Sequence, residues 1–317
     1  MEHFKARHAA ELPPINAALA DGLNLLPAPC RPVASHIFSA GGKRLRPLLT
    51  ILFGRLFGDK STDIYRLAAS MEFLHAATLL HDDILDQAET RRNKPASHML
   101  FGAQVTILAG DALLATGNAL VASFGNPALT LAYSTATMET AAGEILEMSS
   151  LGRADLTHDQ YVEIARGKTA CLIAQACMLG ALKADADELA ACAEFGENLG
   201  LAFQLVDDIL DFADPGQTGK PRGGDLREGK MTPPIRLYRA SLADSERKRF
   251  DEAFMRHGFS HAELELHSAR IAPYAVDCLP LADDCLRKAN EALRKLPDAP
   301  EKIILEEMAE YVRSRKK

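Results

Sequence analysis

Apolar residues recur at three- and four-residue intervals along almost the whole chain, in segments rich in Ala, Leu, Glu and Met. This spacing matches one face of an α-helix, and these residue types favour helix formation. The two-residue alternation that is typical of strands is scarce. The pattern therefore predicts an all-α protein. The predicted helices cover residues 3–22, 31–39, 43–57, 61–87, 104–124, 127–151, 157–182, 185–213, 231–256, 261–295 and 300–315.

Proline and glycine clusters separate these segments and predict turns. The longest predicted loop covers residues 213–231 and carries glycines, basic residues and a further acidic residue. Loops of that length inside compact domains are usually functional or disordered. No segment has the composition of a domain linker, and no short repeat is present. We predict one all-helical domain over residues 1–317, built as a bundle of about ten or more helices.

Composition and charge narrow the class of protein. The chain has 317 residues, 36 basic and 43 acidic, and its net charge of −7 argues against broad nucleic-acid binding. No uninterrupted apolar run reaches the roughly 18–20 residues that span a bilayer. The first ten residues lack the apolar core of a signal peptide. The six cysteines have neither zinc-ligand nor redox spacing. We therefore predict a cytoplasmic enzyme without a transmembrane segment or a nucleic-acid partner.

The pentapeptide Asp-Asp-Ile-Leu-Asp occurs twice, at residues 82–86 and 207–211, each time after a long apolar stretch. Clustered carboxylates repel one another and resist desolvation, so their position needs an explanation. On a helix the first and fifth residues share a face. Divalent cations would relieve the repulsion, and magnesium prefers carboxylates while keeping bonds free for substrate phosphates. The repeat predicts an enzyme that binds diphosphates through magnesium, with two halves facing one cavity.

Basic residues flank the first pentapeptide. His75 lies two helical turns before Asp82 on the same face, where a hydrogen-bonded core histidine is the simpler interpretation. Arg91 and Arg92 follow the cluster, and a solvated patch is the simpler interpretation for them. Beside three carboxylates that interpretation weakens, because arginine binds phosphate directly whereas carboxylates bind it only through metal.

Three further segments are candidates for anion binding. In Gly41-Gly42-Lys43-Arg44-Leu45-Arg46-Pro47 the glycines admit a close anion, and Lys43 and Arg46 share a face with Arg44 turned elsewhere. Gly167-Lys168-Thr169 lacks the upstream glycine and strand of a P-loop, which leaves a plain helix or a lysine and hydroxyl projecting into a cavity. The long loop carries Lys220 and Lys230, either as a solvated surface or as a lid over a diphosphate. Gln204 shares the face of the second carboxylate cluster.

Taken together, these segments resemble the trans-isoprenyl diphosphate synthase (polyprenyl synthetase) family. The order and spacing of several independent motifs match over most of the chain, most clearly over residues 30–240. The matching segments are GGKRLRP (41–47), LLHDDILD (79–86) with RR (91–92), GD (110–111), GE (143–144), GKTA (167–170), FQLVDDILDF (203–212) and GKPRGGDLREGK (219–230).

The resemblance implies the isoprenoid synthase fold with a deep central cavity, a homodimer, and two substrates. These are isopentenyl diphosphate and an allylic diphosphate with a geranyl, farnesyl or geranylgeranyl chain. It implies three magnesium ions in each active site, with metal ligands Asp82, Asp83, Asp86, Asp207, Asp208 and Asp211. It assigns isopentenyl diphosphate to Lys43, Arg46, His75 and Arg92. It assigns the allylic diphosphate to Arg91, Lys168, Thr169, Gln204, Lys220 and Lys230.

The implied reaction is prenyl transfer. Metals and lysines neutralise the leaving diphosphate, the allylic carbon–oxygen bond ionises, the isopentenyl double bond attacks the cation, and a proton leaves. The residues expected to act in catalysis are Asp82, Asp86, Asp207, Lys168, Thr169 and Gln204. Two small departures from the family pattern change no expected ligand: Arg92-Asn93-Lys94-Pro95 replaces Arg-Gly-x-Pro, and Met231-Thr232-Pro233-Pro234 replaces Thr-Leu-Pro.

The residues before the first cluster bear on product length. Ala77 and Thr78 stand where short-chain members of the family often carry aromatic residues, so the product is expected to grow past fifteen carbons. Leu74 and then Met71, further up the helix, are the next candidates for the floor of the pocket. One helical turn rises about 5.4 Å, which is close to the length of one isoprene unit. The pattern at residues 71–81 resembles that of long-chain bacterial synthases, and this resemblance implies a product of roughly C30 to C50, with geranylgeranyl or farnesyl diphosphate as alternatives. Phe124 on an opposing helix could shorten the product.

Three other functions compete with this one. A non-catalytic partner subunit of the same family would usually lack the aspartate motifs, which are intact here. A terpene cyclase needs only an allylic substrate, which the isopentenyl diphosphate set contradicts. A calcium-binding structural protein is disfavoured because the clusters lack the glycine-containing spacing of an EF-hand loop.

Overall fold

The computed structural model describes residues 1–214, 216 and 222–315, and the all-α prediction is confirmed over them. The helices are α1 (Glu2–Leu23), α2 (Arg31–Ser39), α3 (Leu45–Leu56), α4 (Ile64–Leu85), α5 (Ser97–Phe101), α6 (Ala103–Ala122), α7 (Pro127–Ser150), α8 (His158–Ala165), α9 (Cys171–Gly180), α10 (Ala186–Leu210), α11 (Gly224–Glu228), α12 (Pro233–Ser241), α13 (Asp244–Met255), α14 (His261–Asp277), α15 (Leu279–Arg294) and α16 (Pro300–Arg313). A 3₁₀ turn at Ala28–Cys30 precedes α2, and strands β1 (Thr90–Arg91) and β2 (Lys94–Pro95) follow α4.

Three long segments that were predicted as continuous helices are interrupted in the structure. The 157–182 segment is interrupted by a π-helical segment at Arg166–Ala170. The 231–256 segment divides at Leu242 and Ala243, which are extended, and the acidic first turn of α13 favours a new helix start there. The 261–295 segment divides at Cys278, since the proline that follows it lacks an N–H and suits a first turn.

The short hairpin of β1 and β2 was not predicted. Thr90 pairs with Pro95 and Arg91 with Lys94, so Arg92 and Asn93 form a two-residue turn. Both have positive φ, at 52° and 62°, the combination that a type I′ turn requires. Asparagine tolerates this conformation better than most residues, which explains why it can stand in place of the usual family glycine.

The chain divides into two compact units. The first comprises Met1–Thr137, Leu172–Ala193 and Leu296–Leu305, and the second comprises Met138–Cys171, Glu194–Lys295 and the described residues from Glu306 onward. The prediction of one domain stays a prediction, and each unit is described by itself.

Helix α4 is the centre of the first unit and packs against α1, α3 and α6. Arg66 near its start contacts Ser123 after α6, whereas His81 near its end contacts Ile107 at the start of α6, so the two helices are antiparallel. They approach closely at Gly117, where a Cβ atom would lie 3.1 Å from the backbone carbonyl oxygen of Ser70 on α4. Close packing leaves most of α4 without solvent contact, and the carboxylates are at its far end.

The second unit has its own apolar core, in which Tyr161, Leu205 and Phe212 pack together with residues of α12 to α15. Tyr238, Phe250 and His267 form part of an aromatic cluster with ring centroids 5.3–5.8 Å apart. This core supports the C-terminal half of α10, which ends in the second pentapeptide.

One described helix, α6, is long and apolar enough to cross a membrane by length and composition. Within its most apolar window 44% of the residues are buried in the protein. Core helices of soluble proteins meet the same criteria, so this is weak evidence for a membrane span.

Candidate active site

The first pentapeptide lies at the C-terminal end of α4, in the first unit. Asp82 is partly accessible and Asp86 is exposed, whereas Asp83 is fully buried. The guanidinium of Arg91 donates to Asp83 Oδ1 through Nε at 2.8 Å and also through Nη2. Asp86 follows the last residue of α4, and its backbone N–H donates to the carbonyl of Asp82 at 2.8 Å, so the helical turn that relates the outer aspartates continues through it. Arg91, which was assigned to a substrate, has a protein carboxylate as its partner in this structure.

The second pentapeptide lies at the end of α10 and follows the same plan. Asp207 and Asp211 are partly accessible, whereas Asp208 is 3% exposed. Asp208 accepts hydrogen bonds from the Tyr161 hydroxyl at 2.5 Å and from Gln204 Nε2 at 2.8 Å. In both copies, therefore, the middle aspartate is buried and bonded to a protein donor, while the outer two remain accessible.

Asp211 accepts hydrogen bonds from the backbone N–H groups of Gly224 and Asp225, at 3.1 and 3.0 Å. These are first-turn donors of α11 that the helix itself cannot satisfy. The contact fixes the segment that carries Asp225 beside the second pentapeptide. Oδ2 of Asp225 is buried and has no hydrogen-bond partner among the residues that the structure describes.

Nearby positive charge does not fully offset the burial of Asp208, Asp211 and Asp225. Burial raises the pKa of Asp208 to about 7, partly offset by its two hydrogen bonds. Burial also raises the pKa of Asp211, and burial together with the charges of Asp211 and Asp208 raises that of Asp225 well above its usual value. A cluster with these properties favours either protonation or a bound cation.

Lys168 and Thr169 occupy the π-helical segment, and such segments are frequent at functional sites. Thr169 donates to Gln204 Oε1 at 2.7 Å, and Gln204 in turn donates to Asp208. The sequence predicts that Thr169, Gln204 and Asp208 contribute to one site. In the structure, hydrogen bonds within the second unit link these three side chains.

Lys168 and Lys230 converge on two glutamates of α7. The ammonium group of Lys168 lies 2.8 Å from Glu144 and 2.5 Å from Glu147, and that of Lys230 lies 3.2 Å from Glu147. The backbone of α7 can come this close because residue 143 is a glycine, since a Cβ there would lie 2.3 Å from the backbone nitrogen of Lys168. Lys168, Lys230 and Glu147 line a cavity of about 610 Å³, a volume that includes the open solvent at its mouth. The other charged or amide residues lining the cavity are Gln204, Asp208 and Asp225.

The predicted isopentenyl diphosphate residues gather in the first unit. Arg92 donates to the carbonyl of Gly41, and His8 Nε2 lies 2.7 Å from the carbonyl of Lys43, so the glycine loop is held from two sides. Burial lowers the pKa of His75 well below its usual value, and the nearby Arg46 and Arg92 lower it further. His75 is therefore neutral at neutral pH. Arg44 points away and pairs with the buried Glu72 at 2.5 Å.

The candidate chain-length residues divide into two groups. Met71, Leu74 and Ala77 are fully buried in α4, whereas Thr78 is partly accessible and donates to the carbonyl of His75 at 2.9 Å. Phe124 lies after the end of α6, partly accessible, with the guanidinium of Arg66 5.8 Å from its ring centroid. Lys220, the remaining predicted ligand, lies outside the described residues.

Sequence reasoning missed four residues of this region: Tyr161, Glu147, Asp225 as a site residue, and Arg315. Arg315 is 7% exposed, pairs with Asp207 at 2.9 Å, and has its guanidinium 3.8 Å from the ring centroid of Phe203. Phe203 and Asp207 are four residues apart on α10, which signals a shared face. Nothing local indicates which distant residue covers that face.

Among the described residues, no three carboxylate, imidazole or thiol groups already converge closely enough to hold a metal ion. The six aspartates therefore remain predicted ligands.

Comparison with known proteins gives consistent matches. The family model "Polyprenyl synthetase" matches residues 28–268. The octaprenyl diphosphate synthase of Escherichia coli (strain K12) is 34% identical over 238 residues, 74% of each chain. The crystal structure of a decaprenyl diphosphate synthase from Rhodobacter capsulatus is 33% identical with a TM-score of 0.92, covering 100% of this chain and 99% of that one. A polyprenyl synthase from Caulobacter crescentus CB15, in complex with calcium and isoprenyl diphosphate, is 34% identical with a TM-score of 0.93, covering 100% and 98%.

Proposed function

Because the chain belongs to the polyprenyl synthetase family, we propose that it is a trans-prenyltransferase that condenses isopentenyl diphosphate with an allylic diphosphate to give a long-chain polyprenyl diphosphate. The observation that carries this proposal is the cavity of the second unit. There Lys168 and Lys230 meet the carboxylates of Asp208 and Asp225 in one space. Lysines bind phosphate oxygens directly, and carboxylates do so through a metal ion.

The chemistry of the carboxylates fits a divalent cation. Asp225 has a buried oxygen without a hydrogen-bond partner among the described residues, and burial raises the pKa of Asp208 and Asp211. Oxygen ligands of this kind suit magnesium or calcium. We propose three magnesium ions per site, with the six aspartates of the two pentapeptides as their ligands: Asp82, Asp83, Asp86, Asp207, Asp208 and Asp211. Bound metal would supply positive charge to the departing diphosphate.

The chain's own residues hold and orient the substrates. Lys168 and Lys230 bind oxygens of the allylic diphosphate, together with the predicted ligands Arg91 and Lys220. The Thr169 hydroxyl and the Gln204 amide hold Asp208 in position and present polar atoms toward the allylic carbon. Their dipoles favour the positive charge that develops there as the carbon–oxygen bond breaks. Lys43, Arg46, His75 and Arg92 bind isopentenyl diphosphate, and neutral His75 donates or accepts a hydrogen bond without adding charge.

Long products are supported by the small or flexible side chains on α4. Ala77 and Thr78 put no aromatic ring near the carboxylates, and Leu74 and Met71 are the next side chains along the helix. The named relatives that make octaprenyl and decaprenyl diphosphate support the same proposal. A geranylgeranyl or farnesyl product is the alternative.

We further propose a cytoplasmic homodimer. Exposed apolar side chains are concentrated on α5, α6 and α7. Single exposed apolar residues are common on soluble proteins, but a group of them often marks an interaction site. They are Met99, Leu100, Val105, Ile107, Leu108, Leu131, Met138, Ile145, Leu146 and Met148. A second copy that covers such side chains on either unit would remove them from water. All six cysteines are free thiols, which suits a reducing compartment.

Labelled isopentenyl diphosphate, Mg²⁺ and geranyl, farnesyl or geranylgeranyl diphosphate test the function directly. We expect labelled products longer than the primer. The Asp82→Ala and Asp207→Ala variants should lose turnover by orders of magnitude, about 10²-fold or more. No incorporation with any primer would exclude the synthase, and a cyclic hydrocarbon formed from primer alone would indicate a terpene cyclase instead.

A further inference from the structure

One carboxylate oxygen in the second unit is shared by two lysines. Oε1 of Glu147 lies 2.5 Å from the ammonium nitrogen of Lys168 and 3.2 Å from that of Lys230. The Glu147 side chain is 17% exposed and forms part of the cavity wall. A diphosphate that contacts both lysines would place an oxygen between the same two ammonium groups.

Neither lysine depends on Glu147 for its orientation. Lys168 also contacts Glu144 at 2.8 Å, and Lys230 also contacts Glu228 at 2.7 Å. Each ammonium group therefore has a carboxylate of its own, and Glu147 adds a third negative charge at the point where the two meet. A residue that only positioned the lysines would be redundant here.

We propose that the Glu147 carboxylate competes with the diphosphate for Lys168 and Lys230. Its Oε1 occupies the position between the two ammonium groups that a diphosphate oxygen takes. Its negative charge therefore lowers the affinity of the site for pyrophosphate. This inference rests on the proposed function for its biological meaning. Its consequence is that pyrophosphate, the second product of the reaction, leaves more readily than the two half-buried lysines alone would allow.

The charge states support the same interpretation. Burial alone would raise the pKa of Glu147, but the ammonium groups of Lys168 and Lys230 lower it more, so the carboxylate is ionised at neutral pH. Burial alone would lower the pKa of Lys168, but Glu147 and Glu144 raise it above its usual value. An incoming anion therefore meets two ammonium groups whose positive charges are already paired with carboxylates. It must displace Oε1 of Glu147 to contact both lysines.

Titration of the full chain with inorganic pyrophosphate tests this inference without turnover. The measurement is the dissociation constant by calorimetry, once in metal-free buffer and once with MgCl₂. The Glu147→Gln variant keeps the shape and removes the charge, and we expect it to bind pyrophosphate about tenfold more tightly in both buffers. Pyrophosphate should also inhibit this variant more strongly in the prenyl-transfer assay.

Glu228→Gln is the matched control, because Glu228 contacts Lys230 but its side chain is 49% exposed. Solvent screens its charge, so we expect a change in pyrophosphate affinity of less than about twofold. Glu147→Asp is a second test, since its shorter side chain keeps the charge but draws it back from the lysines. We expect about threefold tighter binding for this variant.

Unchanged or weaker pyrophosphate binding by folded Glu147→Gln overturns the inference. If that variant does not fold, the Glu147→Asp result decides in the same way. A wild-type chain that elongates no primer, together with a Gln variant that binds pyrophosphate more tightly, would reject the proposed function and keep this inference. Normal elongation by the wild-type chain, together with an unchanged pyrophosphate dissociation constant in Glu147→Gln, would keep the proposed function and reject this inference.

Discussion

The hydroxyl of Tyr161 donates a 2.5 Å hydrogen bond to the buried carboxylate of Asp208. In the first pentapeptide, Arg91 holds the equivalent buried aspartate, Asp83. The two copies thus share one plan although their partners differ in chemistry and in sequence position. A fixed middle aspartate orients the end of each helix, and the accessible outer aspartates are left for the proposed metal.

Replacing Tyr161 with Phe tests this plan. Asp208 would keep its bond from Gln204 to Oδ1, but its buried Oδ2 would lose its donor, and a buried acceptor without a partner costs about 1–3 kcal/mol. We expect that loss in the free energy of unfolding, measured with urea, and a fall in prenyl transfer of about tenfold.

Tyr65→Phe is the control for this variant, because the Tyr65 hydroxyl donates to Glu11 at 2.7 Å, at the opposite end of α4 from the first pentapeptide. It should lower stability with little change in turnover. Full activity in Tyr161→Phe would contradict the role that we assign to the hydrogen bond.

His75 should make the protein sensitive to acid. Its pKa in the folded state lies well below the usual value of about 6.5, because of burial and of the nearby Arg46 and Arg92. The unfolded chain therefore takes up the proton first, so stability from this group is present above about pH 6.5 and is lost as pH falls through the folded pKa.

The His75→Asn variant should flatten the decline in the free energy of unfolding below about pH 6.5. His261→Asn, at an exposed position, should leave the profile as it is in the wild type. Identical pH profiles for His75→Asn and the wild type would show that His75 is not the group responsible.

Arg315 should compete with metal for Asp207. Its guanidinium lies 2.9 Å from the Asp207 carboxylate and stacks on Phe203. Removing it in Arg315→Ala should lower the Mg²⁺ concentration that gives half-maximal activity by about two- to fivefold. Arg313→Ala is the control, because Arg313 pairs with the distant Asp283. A higher Mg²⁺ requirement in Arg315→Ala would mean that this arginine helps to bind the substrate complex.

The close approach at Gly143 predicts a low tolerance for any side chain. A Cβ atom would lie 2.3 Å from the backbone nitrogen of Lys168, and backbone cannot move aside as a side chain can. Gly143→Ala should cost about 1–3 kcal/mol in unfolding free energy and should weaken pyrophosphate binding by displacing Lys168. Gly258→Ala, where the nearest atoms lie at 3.7 Å, should be tolerated. Equal stability of the two variants would contradict the proposed constraint.

Product length should respond to Leu74. This residue is fully buried on α4, two turns and one residue before Asp82. A phenylalanine there would fill space that a growing chain needs, so Leu74→Phe should shift the products to shorter chains by about one isoprene unit or more. Product sizing by chromatography checks this, and an unchanged distribution would remove Leu74 as a candidate floor.

The sequence by itself determined the features that depend on neighbours along the helix. Three- and four-residue spacing predicts the helices, and the one-turn separation of Asp82 from Asp86 predicts their common face. Short-range rules were sufficient there because helical geometry repeats. They failed where local signals compete, as at the π-helical segment and at Leu242, where packing and a new helix start decide the boundary.

Only the tertiary structure decided what each charged group faces. Nothing near Asp208 in the chain indicates Tyr161, which is 47 residues away. Nothing near Glu147 indicates that its carboxylate oxygen would lie between the ammonium groups of Lys168 and Lys230. Burial and the distance to the nearest opposite charge set these pairings, and both depend on how distant helices pack. The candidate site residues could therefore be named from the sequence, whereas the charged and polar partners of each one could not.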